Sequence, residues 1–198
     1  MLTTINSGAT SAQETAISLL ELDIPFHLCD GKQPITEDYV LTHEEIDRAF
    51  QANPSLNVGI ILGEHSGVME FATMRIDNNQ SERAFQKLMD GVLVDTPTSA
   101  SRYGIHRFFE LDDRLLSIGY PLVMYKTVSI VLGEDDKWLS MVPPSISEGA
   151  PVEWIRSLDD CDGLFQRLPD AVIQRILAAN DNDDEVIQLP PNLAMRMS

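Results

Sequence analysis

The chain has 198 residues, 43% of them hydrophobic, and its 14 basic against 31 acidic side chains give a formal charge of -17 and an isoelectric point of about 4.4. A summed field of that sign repels a polyanion, so DNA binding is not expected of the surface as a whole. Two distant cysteines, Cys29 and Cys161, exclude a disulfide framework or a cysteine zinc site, Met1 to Thr15 lacks the pattern of a secretion signal, and no apolar run reaches membrane length, so a cytoplasmic location is expected.

In chain order, Ser11 to Leu22 reads as a helix, with Ser11 as N-cap and Glu14 three residues on in the capping-box pattern. A short strand near Pro25 to Leu28 follows. Thr42 and Glu45 form the same pattern at the head of a second helix, which Asn53-Pro54 stops after Ala52. Asn57 to Met74 is the most informative stretch: two apolar strands, joined through the glycine-bounded segment Gly63 to Gly67, read as a hairpin. Asn79 to Met89 is a third helix with Phe85, Leu88 and Met89 on one side. Gly104 to Leu111, Leu122 to Leu132 and Lys137 to Val142 read as strands, the last two joined by Gly133-Glu134-Asp135-Asp136, and Asp170 to Ala178 reads as a closing helix. These elements predict an α+β fold, a mixed sheet flanked by helices, with enough apolar residues for one core that flanks a cleft as two lobes. The expected organisation is an N-terminal extension over 1–11, a domain over 12–178 and an acidic, proline-containing flexible tail over 179–198. Trp138 and Trp154 are expected as core or interface anchors. No P-loop, dinucleotide fingerprint or Ser-His-Asp arrangement is visible.

Several landmarks fall in one order. They are Asp30-Gly31-Lys32-Gln33-Pro34, Asn57-Val58-Gly59-Ile60 with Ser66-Gly67, Gly104-Ile105-His106, Val142-Pro143-Pro144-Ser145, and Gly149 followed by Glu153-Trp154. In that order they resemble the bifunctional primase-polymerase domain of the archaeo-eukaryotic primase superfamily, over roughly Ala12 to Leu177. The resemblance implies an RRM-like core with an N-terminal αβ unit and a role in DNA replication of a mobile element. It also implies nucleotide-contacting positions at His106, Arg102, Lys32 and Ser145.

The departures from the family lie at its metal-binding acids. Magnesium or manganese in such a site is held by carboxylates, two of them at i and i+2 on one strand so that both project from the same face. The resemblance places those acids at Ala72, Met74 and Ser129, none of which supplies a carboxylate. Glu70 shares strand parity with Ala72 and Met74, and Asp77 lies just beyond, so these two are the weak candidates for displaced ligands, against the favoured reading of Glu70 as a partly solvated strand acid and Asp77 as a turn residue. His106 is open to two roles, contact with a nucleotide or a structural hydrogen bond. Arg75, Arg102, Arg107 and Lys126 are either the basic lining of one cleft or ordinary surface charge.

The expected function is a primase-polymerase-like domain that has lost nucleotidyl transfer and acts in binding or regulation, with a nucleotide or a replication protein as partner and no resident cofactor. Two alternatives stand beside it. One is an active primase-polymerase using displaced acids with magnesium or manganese, around Glu70, Asp77 or the Glu134-Asp135-Asp136 loop. The other is an acidic module for a basic protein.

Overall fold

The first two helices begin where their capping boxes place them. In the computed structural model, which describes residues 11–75, 79–119, 121–133, 138–181 and 186–188, α1 is Ala12–Glu21 and α2 is His43–Ala52. Glu14 N–H donates to Ser11 Oγ at 3.2 Å while Ser11 N–H donates back to Glu14 Oε2 at 2.6 Å, and Thr42 and Glu45 repeat the exchange at 3.2 and 2.9 Å. Each box satisfies amide donors that a helix start leaves unpaired, which stabilises it by about 1 kcal/mol.

These helices pack on a four-stranded sheet built from β1 (Phe26–Asp30), β2 (Gln33–Pro34), β3 (Asn57–Ile61) and a later strand, Leu139–Val142, in the order β2, β1, β3, then that strand. Ala16, Leu19, Ile46 and Phe50 from the helices meet Phe26, Leu28, Val58 and Ile60 from the sheet in one buried cluster. The expected hairpin over Asn57 to Met74 is not formed. The second apolar strand, β4 (Val68–Met74), leaves β3 behind and joins a different sheet, and only an isolated bridge between Gly63 and Val68 closes the corner. Gly63 and Gly67 take positive φ angles of 122° and 65° there, so the bend redirects the chain between sheets instead of folding it back on itself.

After α3 (Gln80–Met89) come β5 (Thr98–Ala100), β6 (Gly104–Glu110), the short α4 (Asp113–Leu116), β7 (Leu122–Tyr125), β8 (Val128–Val131) and β9 (Leu139–Val142). A small pair follows, β10 (Ile146–Ser147) with β11 (Ala150–Pro151), then β12 (Glu153–Arg156), α5 (Asp170–Asp181) and β13 (Val186–Gln188). The second sheet has seven strands in the order β12, β5, β6, β4, β8, β7, β13. Its named strands pair antiparallel, and parallel character is confined to an isolated bridge between Phe109 and Gln166.

Two further expectations change. Leu122 to Leu132 is a two-stranded hairpin, turning at Lys126-Thr127 with Lys126 at φ 54°, because Tyr125 pairs with Val128. Within the stretch expected to be a flexible tail, α5 runs on to Asp181 and β13 adds to the sheet edge beside β7.

Alternation divides the large sheet into two faces. Met69, Phe71, Phe109, Val123, Val128 and Ile130 face α3 and α5, where Phe85, Leu88, Val172 and Ile173 complete the larger core. Phe71 sets its ring edge-on to Phe85 and Phe109, with centroids 6.0 and 5.1 Å away. The opposite face looks toward the small sheet, and there Val68 and Phe108 join the N-terminal core, with Trp154 edge-on to Phe108. Among the described residues no helix is long and apolar enough to cross a membrane.

Candidate functional site

Between the two sheets lies a cavity of about 320 Å3 whose wall is the second face of β4, β6 and β8. Strand register determines which side chains share it. Ala72 on β4 pairs with His106 on β6 to one side and with Ser129 on β8 to the other, so the three stand in a row across adjacent strands. Glu70 and Met74 flank Ala72 at the same parity, and all five line the cavity. Leu62, Trp138, Leu139 and Met141 supply apolar surface from the facing side. The close approach at one end rests on Gly104, opposite Met74. A Cβ there would fall within the contact radius of the Thr73 carbonyl oxygen.

The polar centre of this wall is a chain of hydrogen bonds. His106 Nδ1 lies 2.8 Å from Glu70 Oε1, and His106 Nε2 lies 3.1 Å from Ser101 Oγ. Ser140, on β9 of the small sheet, hydrogen-bonds Glu70 in turn, so the chain ties the two sheets together. Ser101 Oγ also accepts from Tyr103 N–H at 3.2 Å.

Glu70 is not a partly solvated strand acid but only 7% exposed, because His106, 25% exposed, pairs with it, and each keeps the other charged. Burial disfavours the imidazolium, but the charge and hydrogen bond of Glu70 outweigh it even against Lys32 and Arg107, so the His106 pKa lies above its ordinary 6.5. Burial likewise disfavours the Glu70 carboxylate, and His106 together with Ser140 overcomes it, holding Glu70 below its ordinary 4.5.

At the mouth, three turns meet on one carboxylate. Glu148, at the tip of the β10–β11 hairpin with φ 50°, accepts from Lys32 Nζ at 3.3 Å and from the Tyr103 hydroxyl, while its carbonyl accepts from Arg102 at 3.5 Å. The Tyr103 hydrogen bond and then Lys32 hold the Glu148 carboxyl below its ordinary range.

Of the residues expected at the site, His106, Lys32, Glu70, Ala72, Met74 and Ser129 line one cavity, and Arg102 stands at its rim. Ser145 is elsewhere. It is 1% exposed, accepts from Val58 N–H at 2.9 Å and donates to Val58 carbonyl at 3.1 Å, which makes it a clasp between β3 and the loop after β9. Asn57 strengthens that clasp by bonding Gly31 and both backbone groups of Ile146. Ser129 donates to Met124 Sδ at 3.2 Å. Asp77 and the Glu134-Asp135-Asp136 loop lie outside the described residues.

The basic residues do not gather in one cleft. Arg107 points to the opposite face, 8% exposed, where it forks onto Glu82 at 2.8 and 2.9 Å and stacks over Phe85 at 4.2 Å. Arg75 is exposed, and Lys126 sits at the β7–β8 bend over Tyr125. Among the described residues no three His, Cys, Asp or Glu side chains come together as a metal site would require.

Ser101, Ser140, Tyr103 and Glu148 were not singled out from sequence. Each belongs to the site only through strand register or loop packing, and no local motif marks it. Comparison of the sequence with protein-family models finds no match, and comparison with curated proteins finds none either.

Proposed function

We propose that this chain is a primase-polymerase-like domain that holds a nucleotide, or an anion of that kind, between its two sheets and does not transfer nucleotidyl groups. The observation that carries the proposal is the row His106, Ala72, Ser129 on the cavity wall. On the register the resemblance implies, Ala72, Met74 and Ser129 put a methyl, a thioether and a hydroxyl where two cations would be gripped by oxygen. The nearest carboxylate, Glu70, is committed to His106.

What remains suits binding. An imidazolium at the base and Lys32 at the mouth favour a phosphate or carboxylate, while Trp138, Leu139 and Met141 offer an apolar surface to a base or another flat group. The acidic exterior makes a gripped template a poor fit, so the reading is of a scaffold kept for binding or regulation, in the replication of a plasmid, phage or integrated element.

Calorimetry with a nucleoside triphosphate, alongside primer-extension assays in magnesium and in manganese, tests both halves. Binding that weakens in His106→Ala, with no extension by the intact chain, is expected. Robust extension overturns the loss of transfer, and absence of any nucleotide binding overturns the ligand.

A further inference from the structure

We propose that Ser101, His106 and Glu70 form a nucleophilic relay that opens esters of apolar acids. The inference goes beyond the nucleotide reading and does not depend on it. Three adjacent strands carry it: Ser101 just past the end of β5, His106 on β6 and Glu70 on β4. Ser101 lies opposite Gly104 across the β5–β6 turn, one diagonal step from His106, and Glu70 is one diagonal step from His106 on the other side. The order of contacts is that of an activated nucleophile: hydroxyl to Nε2 at 3.1 Å, then Nδ1 to carboxylate at 2.8 Å. Glu70 is a positioning residue, fixing the tautomer with hydrogen on Nδ1 and leaving Nε2 free to accept the Ser101 proton. It is held in turn by Ser140.

The surroundings fit an acyl substrate. All three side chains line the same cavity, with Met74 on their own wall and Trp138, Leu139 and Met141 facing them. A volume of about 320 Å3 accommodates a short acyl chain. Tyr103 N–H donates to Ser101 Oγ and so fixes the hydroxyl beside Nε2, and Lys32 lines the same cavity with its charge reaching His106.

The step balances without a further reactant except water. Ser101 Oγ bonds to the ester carbonyl carbon as its proton passes to His106 Nε2. Collapse of the tetrahedral adduct breaks the bond to the alkoxy oxygen, which leaves as an alcohol with the proton from Nε2. Water then gives a proton to Nε2 and its oxygen to the acyl carbon, and the proton returns to Ser101 as the acid departs. Since Nε2 must be unprotonated, the rate rises with pH through the pKa of His106. Burial, Lys32 and Arg107 pull that pKa down, and Glu70 outweighs them.

The test uses the intact chain with a fluorophosphonate probe and p-nitrophenyl butyrate. Expected are a single adduct located on Ser101 by peptide mass spectrometry, ester hydrolysis abolished in Ser101→Ala, and a rate lower on the order of 100-fold in His106→Ala. In Glu70→Gln the pH at half-maximal rate moves downward, a displacement that loss of packing alone does not produce. Wild type that is folded by circular dichroism yet leaves Ser101 unlabelled overturns the proposal, as does labelling of Ser101 that His106→Ala does not slow. Neither outcome bears on nucleotide binding, which calorimetry reads separately.

Discussion

His106 Nδ1 lies 2.8 Å from Glu70 Oε1 on the neighbouring strand, and Glu70 is held in turn by Ser140 of the other sheet. Removing one partner of such a buried pair leaves the other charged and uncompensated. Glu70→Gln is expected to lower unfolding free energy by about 3 kcal/mol, measured by urea denaturation.

The same pair sets a pH window for stability. The His106 pKa is raised on folding, so its contribution is complete below 6.5 and declines as pH rises through the folded value. The Glu70 pKa is lowered, so its contribution is complete above 4.5 and declines as pH falls through its folded value. The midpoint of urea unfolding is expected to be highest between those two ordinary values. Glu70→Gln removes both flanks that this pair contributes, and a variant profile parallel to wild type would contradict the assignment.

Anion affinity follows the charge on His106. Nucleotide binding by calorimetry is expected to weaken as pH rises through the raised His106 pKa, while ester hydrolysis strengthens over the same interval. Two curves that rise together would mean that one of the two activities does not use this imidazole.

Restoring acids tests the register behind the proposed loss of transfer. The triple variant Ala72→Asp, Met74→Asp, Ser129→Asp places three carboxylates on one wall. Manganese affinity is expected to increase at least about tenfold, roughly 1.4 kcal/mol, with reduced stability in the metal-free protein from like-charge crowding. Unchanged manganese affinity in a folded variant would show that these are not the positions of a lost cation site.

Gly104→Ala acts on the backbone. The added Cβ meets the Thr73 carbonyl of a central strand, where neither side can give way easily. A loss of roughly 2 kcal/mol is expected in urea denaturation, with nucleotide binding weakened because the displaced strand carries His106.

Elements governed by local chemistry were legible in sequence. Ser11 with Glu14 and Thr42 with Glu45 announce their helices because the capping bonds run between residues three apart, and α3 shows its buried side through Phe85, Leu88 and Met89. The stretch from Asn57 to Met74 reads as a hairpin although its strands separate, because two apolar strands with a glycine bend look alike whether they pair or part. Which happens depends on β1, β9, β6 and β8 competing for their edges. The bend at Lys126 carries no turn signal in sequence, since a lysine occupies the left-handed position where glycine or asparagine would mark one. At the site, parity correctly put Glu70 beside Ala72 and Met74. Its bond to His106 required the β4–β6 register, and Ser101 required the β5–β6 turn, neither of which any short stretch of sequence specifies.

Glu148 gives the cavity mouth a resident negative charge already clasped by Lys32 and Tyr103. On the anion-binding reading proposed above, a phosphate reaching these donors has to displace the Glu148 carboxylate from them. The displaced carboxylate stays tethered beside the site, so association is expected to strengthen as added salt screens the repulsion between the two anions in so acidic a protein. Discrimination among guests then turns on how well each outcompetes a tethered carboxylate, and a dianion has the advantage over a monoanion of equal size.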